Sequence, residues 1–178
     1  PTDLAAITIE TYTARRAYEI ADEYRQRGVP VIMGGMHVRL IPEEVAEHAD
    51  SIFLGDAETL WAQVVQDARA GRLRARYVAP PGVAQLAGTL PRRDLFRGKG
   101  YLPITLSQFG RGCTQDCRYC AISAFFAQTH RCRPVGEVVR EIEVAGHRFV
   151  FFVDDNIVAD REAAKALFRA LVPLRIRW

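Results

Sequence analysis

The sequence predicts an α/β protein in two successive parts, a parallel sheet with crossover helices and then the opening units of a β/α barrel. Short apolar runs alternate with helical periods between residues 4 and 70. A stretch without period, rich in proline and glycine, follows, and the alternation resumes at residue 104.

Leu4 to Ile9 is a short apolar run of strand formers, and Ala14, Ala17, Tyr18, Ala21 and Tyr24 then recur at helical spacing up to a capping Gly28. Val29 to Met33 is continuously apolar, as in strands buried on both faces, with Pro30 tolerable near its beginning. Gly34 and Gly35 follow directly. Pro42, Glu43 and Glu44 mark a helix start, with proline at its first position and acids in its first turn. Ser51 to Leu54 is the next strand, closed by Gly55, and Thr59 to Ala70 the next helix, closed by Gly71. This order implies right-handed crossovers and a Rossmann-like half over residues 1–71. Residues 72–103, with Pro80, Pro81, Gly82, Gly88, Pro91, Gly98, Gly100 and Pro103, read as a linker.

Residues 104–178 read as the front of a TIM-like barrel. Ile104 to Ser107 is a strand. Pro134 to Ala145 carries an apolar stripe (Val135, Val138, Val139, Ile142, Ala145) and ends at Gly146. Phe149 to Val153 is a buried strand that stops at Asp154, Asp155 and Asn156. Asp160 caps a helix through Leu171, which Pro173 terminates, and Arg175 to Trp178 would begin a third strand. Polar residues thus gather at the C-terminal strand ends, where barrels place their chemistry.

The chain has 178 residues, 49% of them hydrophobic, enough for one ordinary domain or two small ones. No apolar run approaches the ~20 residues of a membrane span, and no leader precedes them. Four cysteines, three of them clustered, suit a reducing compartment and metal ligation, so a cytoplasmic location is expected. Net charge is +3, and the basic residues are 22 Arg against Lys99 and Lys165. The densest group, Arg69, Arg72, Arg74 and Arg76, lies near a helix end without interleaved aromatics and reads as a solvated face, so nucleic acid is an unexpected partner.

The most specific signal is Cys113, Cys117 and Cys120, spaced C-x3-C-x2-C. Three thiolates on one short loop hold three irons of a cubane cluster and leave the fourth open, whereas an electron-carrying cluster is normally closed by four. The alternative is a structural zinc site with Cys132 as fourth ligand, although zinc sites typically pair C-x2-C knuckles. Outside that arrangement, Cys132 in H-R-C-R-P is a thiol without a role. Gly110 and Gly112 before the first cysteine permit close backbone approach.

The motif resembles that of the radical S-adenosylmethionine superfamily. The resemblance implies a 4Fe-4S cluster on Cys113, Cys117 and Cys120, with S-adenosylmethionine chelated at the open iron and cleaved to a 5'-deoxyadenosyl radical. It also implies S-adenosylmethionine contacts from Tyr119, near the adenine, and from Asp154, Asp155 and Asn156, near the amino group. The D-D-N form departs from the G-G-E of many members and looks like the variant of cobalamin-dependent ones. Arg131 and Arg133 are candidates to face an anionic group of the cofactor or, equally, solvent. In the first half, V-I-M-G-G-M-H (31–37) and S-I-F-L-G-D-A-E (51–58) resemble the last strands of a cobalamin-binding domain, which would place Gly34 and Gly35 along the cobalamin tail. His37 is read as structural.

The joined pattern resembles cobalamin-binding-domain radical enzymes, among them methyltransferases acting on unactivated carbon. It implies a transferase with a small-molecule substrate and a reductant such as flavodoxin or ferredoxin. Two other readings stand beside it: a non-catalytic zinc or iron-sulfur module, and a tRNA-modifying radical enzyme leaning on the arginines near residue 72. Departures are the absent first strands and D-x-H-x-x-G loop of the cobalamin domain, and a barrel of only two full units. Pro1 and Trp178 are therefore expected to be cut ends, and the isolated piece inactive.

Overall fold

The structure, a computed structural model, describes residues 2–80, 86–88 and 90–178; Pro1 and, in the expected linker, Pro81 and Gly82 lie outside the described residues. The chain divides into two compact units, Pro1–Gln85 and Leu86–Trp178.

The first unit is a four-stranded, wholly parallel sheet in the order β1 (Ala5–Thr8), β2 (Val31–Gly34), β3 (Ser51–Leu54), β4 (Arg76–Val78). Its helices are α1 (Ala14–Gln26), α2 (Met36–Leu40), α3 (Pro42–His48) and α4 (Trp61–Arg69). Alternation within the apolar strands sorts their side chains to two cores. Val31, Met33 and Ile52 pack with Ala17, Ala21, Val38 and Val45. Ile32 and Phe53 pack on the other face with Val64 and Tyr77. The unbroken apolar runs are what a sheet buried on both faces requires.

Residues 72–103 begin with a strand where sequence reasoning expected only linker. β4 pairs with β3 in the register Ile52↔Arg76 and Leu54↔Val78. Three residues with one buried side chain, Tyr77, carry too little period to be seen. What holds this strand is a polar pin: the Tyr77 hydroxyl donates to Asp67 Oδ2 at 2.8 Å, and Gln63 Nε2 donates to Oδ1 at 2.7 Å. The Tyr77 bond above all, with Gln63, Arg74 and Arg72 assisting, holds the Asp67 carboxyl below the usual range against the desolvation that would raise it.

In the second unit β5 (Ile104–Ser107) and β8 (Phe149–Phe152) are parallel neighbours in the register Ile104↔Phe149. Arg177 bridges Phe149 in parallel, so the chain end runs alongside as the expected third strand would. Helices α6 (Val135–Ala145) and α7 (Arg161–Leu171) cover one face through Val138, Ile142, Leu167 and Leu171, packed with Phe109 and Val150. The other face presents Ile104, Leu106, Phe149 and Phe151, all exposed. Asp160 caps α7 by accepting the Ala163 amide at 3.0 Å, and Gly146, with φ +69°, ends α6, both as expected.

Between β5 and α6 lies an element the sequence did not suggest. β6 (Gly110–Gly112) and β7 (His130–Cys132) form an antiparallel ribbon, with Gly110↔Cys132 and Gly112↔His130 opposed. It closes the base of the segment that carries the cysteines and the short helix α5 (Ala121–Phe125).

Candidate metal and cofactor site

β5 delivers the chain to Phe109, fully buried, and the ribbon then turns it into the cysteine loop. Gly112 has φ +87°, and a Cβ there would stand 2.2 Å from the Thr129 carbonyl oxygen, so only glycine fits the turn-in. The Cys120 amide bonds to the Cys117 carbonyl at 3.0 Å, a tight turn linking the second and third cysteines. All four cysteines are free thiols; Cys117 is exposed, while Cys113, Cys120 and Cys132 are half-buried. Among the described residues no three His, Cys, Asp or Glu side chains stand together closely enough to hold a metal ion. The three thiols share a loop and not yet a centre.

The donor set nonetheless fits an iron-sulfur group. It is all sulfur, and Cys113 Sγ already accepts two N–H donors, from the Gln115 backbone at 3.5 Å and Asn156 Nδ2 at 3.4 Å. N–H donors aimed at sulfur are the usual outer support of a metal-ligating cysteine.

The D-D-N strand end sits against the ribbon. Asp154 Oδ2 accepts the Phe109 amide at 3.1 Å, Oδ1 accepts the Gly110 amide, and Asp155 Oδ2 accepts the Gly112 amide at 2.8 Å. Burial pushes the Asp154 carboxyl up, and the Phe109 and Gly110 amides oppose it without cancelling it. Sequence reasoning placed these side chains near a cofactor amino group and missed that they bind the lead-in of the cysteine loop. It also missed His130, whose Nε2 would stand 2.5 Å from a Cβ on Gly110. No local signal marks either contact.

Tyr119 is 92% exposed, which excludes core packing. Arg133 does not face solvent: it is buried, donating to the Gln108 carbonyl at 3.0 Å and to the Glu141 carboxylate at 2.6 Å. Cys132 is a poor thiolate, because burial first, and then the charges of Asp160 and Asp154, push its thiol up to about 11. At pH 8 its alkylation by iodoacetamide is expected to run roughly two orders of magnitude slower than that of an ordinary cysteine. Peptide mapping after timed quenching measures this, and labelling at the ordinary rate would refute the assignment.

In the first unit the two glycines have different reasons. Gly35 has φ +107°, and a Cβ there would meet the Ile9 carbonyl oxygen at 2.5 Å, so close packing of β1 already demands it. At Gly34 a Cβ would make an ordinary 3.6 Å contact with Phe53, leaving no internal steric need for glycine. His37 is structural, as read: it is 4% exposed, with Nδ1 3.1 Å from Thr11 Oγ1 and Nε2 3.1 Å from the Tyr18 hydroxyl. Because Tyr18 donates onward to Glu44 at 2.8 Å, the neutral ring must carry its proton on Nε2.

The arginines near residue 72 are largely engaged with acids. Arg74 lies 3.1 Å and Arg72 3.9 Å from Asp67, and Arg76 lies 3.6 Å from Glu43. Among the described residues no helix is long and apolar enough to cross a membrane. A cavity of about 860 Å³, lined by Phe96, Tyr101, Leu102, Ile104 and Val144 among others, opens beside the start of β5, and no cysteine lines it.

No family model matches the chain. In fold it is similar to the radical S-adenosylmethionine methyltransferase TsrM of Kitasatospora setae in two solved structures. With tryptophan and an S-adenosylmethionine analogue bound, the TM-score is 0.72 at 17% identity over 97% of this chain and 40% of that one. With cobalamin and a [4Fe-4S] cluster bound, it is 0.68 at 17% identity over 97% and 41%. That likeness defines the fold, an α/β chain built like about two fifths of TsrM. Two relatives come from Chlorobaculum tepidum. Bacteriochlorophyllide d C-8(2)-methyltransferase is 35% identical over 83% of this chain and 34% of its own length, and the C-12(1)-methyltransferase is 25% identical over 99% and 41%. Hopanoid C-2 methylase of Rhodopseudomonas palustris is 26% identical over 81% and 28%. The chain is similar to these proteins over most of its own length, which agrees with the resemblance read from its sequence, to cobalamin-binding-domain radical S-adenosylmethionine enzymes. It spans about a third of the length of the first of them.

Proposed function

We propose that this chain carries the cofactor-binding part of an enzyme that uses a 4Fe-4S cluster, S-adenosylmethionine and cobalamin to transfer a methyl group to carbon of a small molecule. The observation that carries the reading is a loop of three free thiols closed at its base by the β6–β7 ribbon, on a chain similar to these methyltransferases. Cys113, Cys117 and Cys120 would hold the cluster. The chemistry these cofactors supply is one-electron cleavage of S-adenosylmethionine and, on cobalamin, carriage of the methyl group.

The protein's own contribution is ligation and orientation. Asn156 and Gln115 hold Cys113 with N–H donors. Tyr119, projecting one position before Cys120, offers a ring for the adenine. Asp154 and Asp155 keep carboxylate lone pairs beyond those the ribbon takes, suited to an ammonium group. Gly34 leaves the backbone open at the carboxyl end of β2, where a nucleotide tail can lie. The proposed division of labour is a cobalamin half that takes in β4 beyond the expected boundary at residue 71, a connection up to residue 103, and a radical barrel over 104–178.

Anaerobic reconstitution of the chain with iron and sulfide is the test. The expected result is close to four irons per chain and a paramagnetic signal that changes when S-adenosylmethionine is added. One equivalent of tightly bound zinc, with no iron and no response, would favour a structural metal module and overturn the reading.

A further inference from the structure

Three consecutive side chains after β8 all reach the lead-in of the cysteine loop or its first cysteine. Alternate residues of an antiparallel strand turn their amides away from the partner strand. The amides of Gly110 and Gly112 are taken by Asp154 and by Asp155 respectively. The third residue, Asn156, reaches one step further, to the first cysteine. Its Oδ1 accepts the Val158 amide at 3.3 Å, which fixes the orientation of the side-chain amide, and its Nδ2 is thereby left to donate to Cys113 Sγ at 3.4 Å.

We propose that Asn156 is a positioning residue that sets the electron affinity of the cluster through Cys113, while Asp154 and Asp155 peg the ribbon that presents that cysteine. The assignment rests on Cys113 being a cluster ligand. An N–H dipole aimed at a ligating sulfur stabilises the more negative, reduced state, so its presence raises the reduction potential. Its loss lowers the potential, and a carboxylate in its place lowers it further by adding negative charge beside the sulfur. The Gln115 amide donates to the same sulfur from the backbone and is unaffected by substitution at 156.

The experiment is a redox titration, followed by electron paramagnetic resonance, of the anaerobically reconstituted chain as wild type, Asn156→Ala and Asn156→Asp. Removing one hydrogen bond to a charged sulfur is expected to lower the one-electron reduction constant roughly tenfold in Asn156→Ala, ~59 mV, with a larger fall in Asn156→Asp. Equal potentials in all three proteins overturn the assignment while leaving the cluster reading intact. Loss of the cluster from both variants, with wild type loaded, also overturns it, since Asn156 would then be needed for assembly and not for potential. A wild-type chain that takes up no iron overturns the functional reading itself and this assignment with it.

Discussion

Glu141→Ala is expected to destabilise the second unit by about 3–5 kcal/mol, the cost of breaking a buried ion pair from one side. Glu141 is 5% exposed and faces two guanidinium groups. Arg133 reaches it at 2.6 Å, and Arg93 reaches its other carboxylate oxygen while also donating to the Leu106 carbonyl. Alanine would leave two cations in a site that excludes most water. Urea unfolding of a Trp61→Phe background, read from Trp178 where it stacks on Phe168, reports on this unit alone. Glu141→Gln, which keeps the shape and loses the charge, should fall between. Replacing Arg93, Arg133 and Glu141 together with apolar residues should cost much less than alanine at 141, because no charge is then stranded. A midpoint unchanged in Glu141→Ala would mean the triad is not formed in solution.

Gly112→Ala should have the second-largest effect, about 1–3 kcal/mol with local collapse of the ribbon. The backbone there is left-handed, and the added methyl would meet the Thr129 carbonyl oxygen at 2.2 Å and Phe126 Cβ at 3.1 Å. Neither can yield without opening the turn into the cysteine loop. Hydrogen exchange should show early loss of protection at Gly110, Gly112 and Arg133, whose amides are bonded only while the ribbon stands. Gly136→Ala is the control: nothing lies within 4 Å of its added Cβ, and in helix α6 alanine should stabilise by about 0.5–1 kcal/mol. Opposite signs for the same chemical change would separate the steric demand at Gly112 from a general preference for glycine.

Much of the fold was legible because it depends on short-range pattern. Apolar runs such as 31–33 and 149–152 became strands, and the Asp160 and Gly146 caps fell where local chemistry puts them. β4 and the β6–β7 ribbon were not legible, for a shared reason. Each is three residues long, too short to show a period, and each is held by partners far along the chain. Gly110–Arg111–Gly112 has no apolar side chain to betray a strand.

The candidate site divides the same way. By itself the sequence determined that three thiols would share one loop and that two acids and an amide would end a barrel strand, since spacing and strand order are local properties. Only the tertiary structure decided what those groups touch. Asp154 meets the ribbon 44 residues away, Asn156 meets Cys113 across 43, and Arg133 is withdrawn to Glu141. Hydrogen-bond partners are chosen by which backbone amides and buried charges the folded chain leaves unsatisfied, and that balance does not exist until both strands are in place.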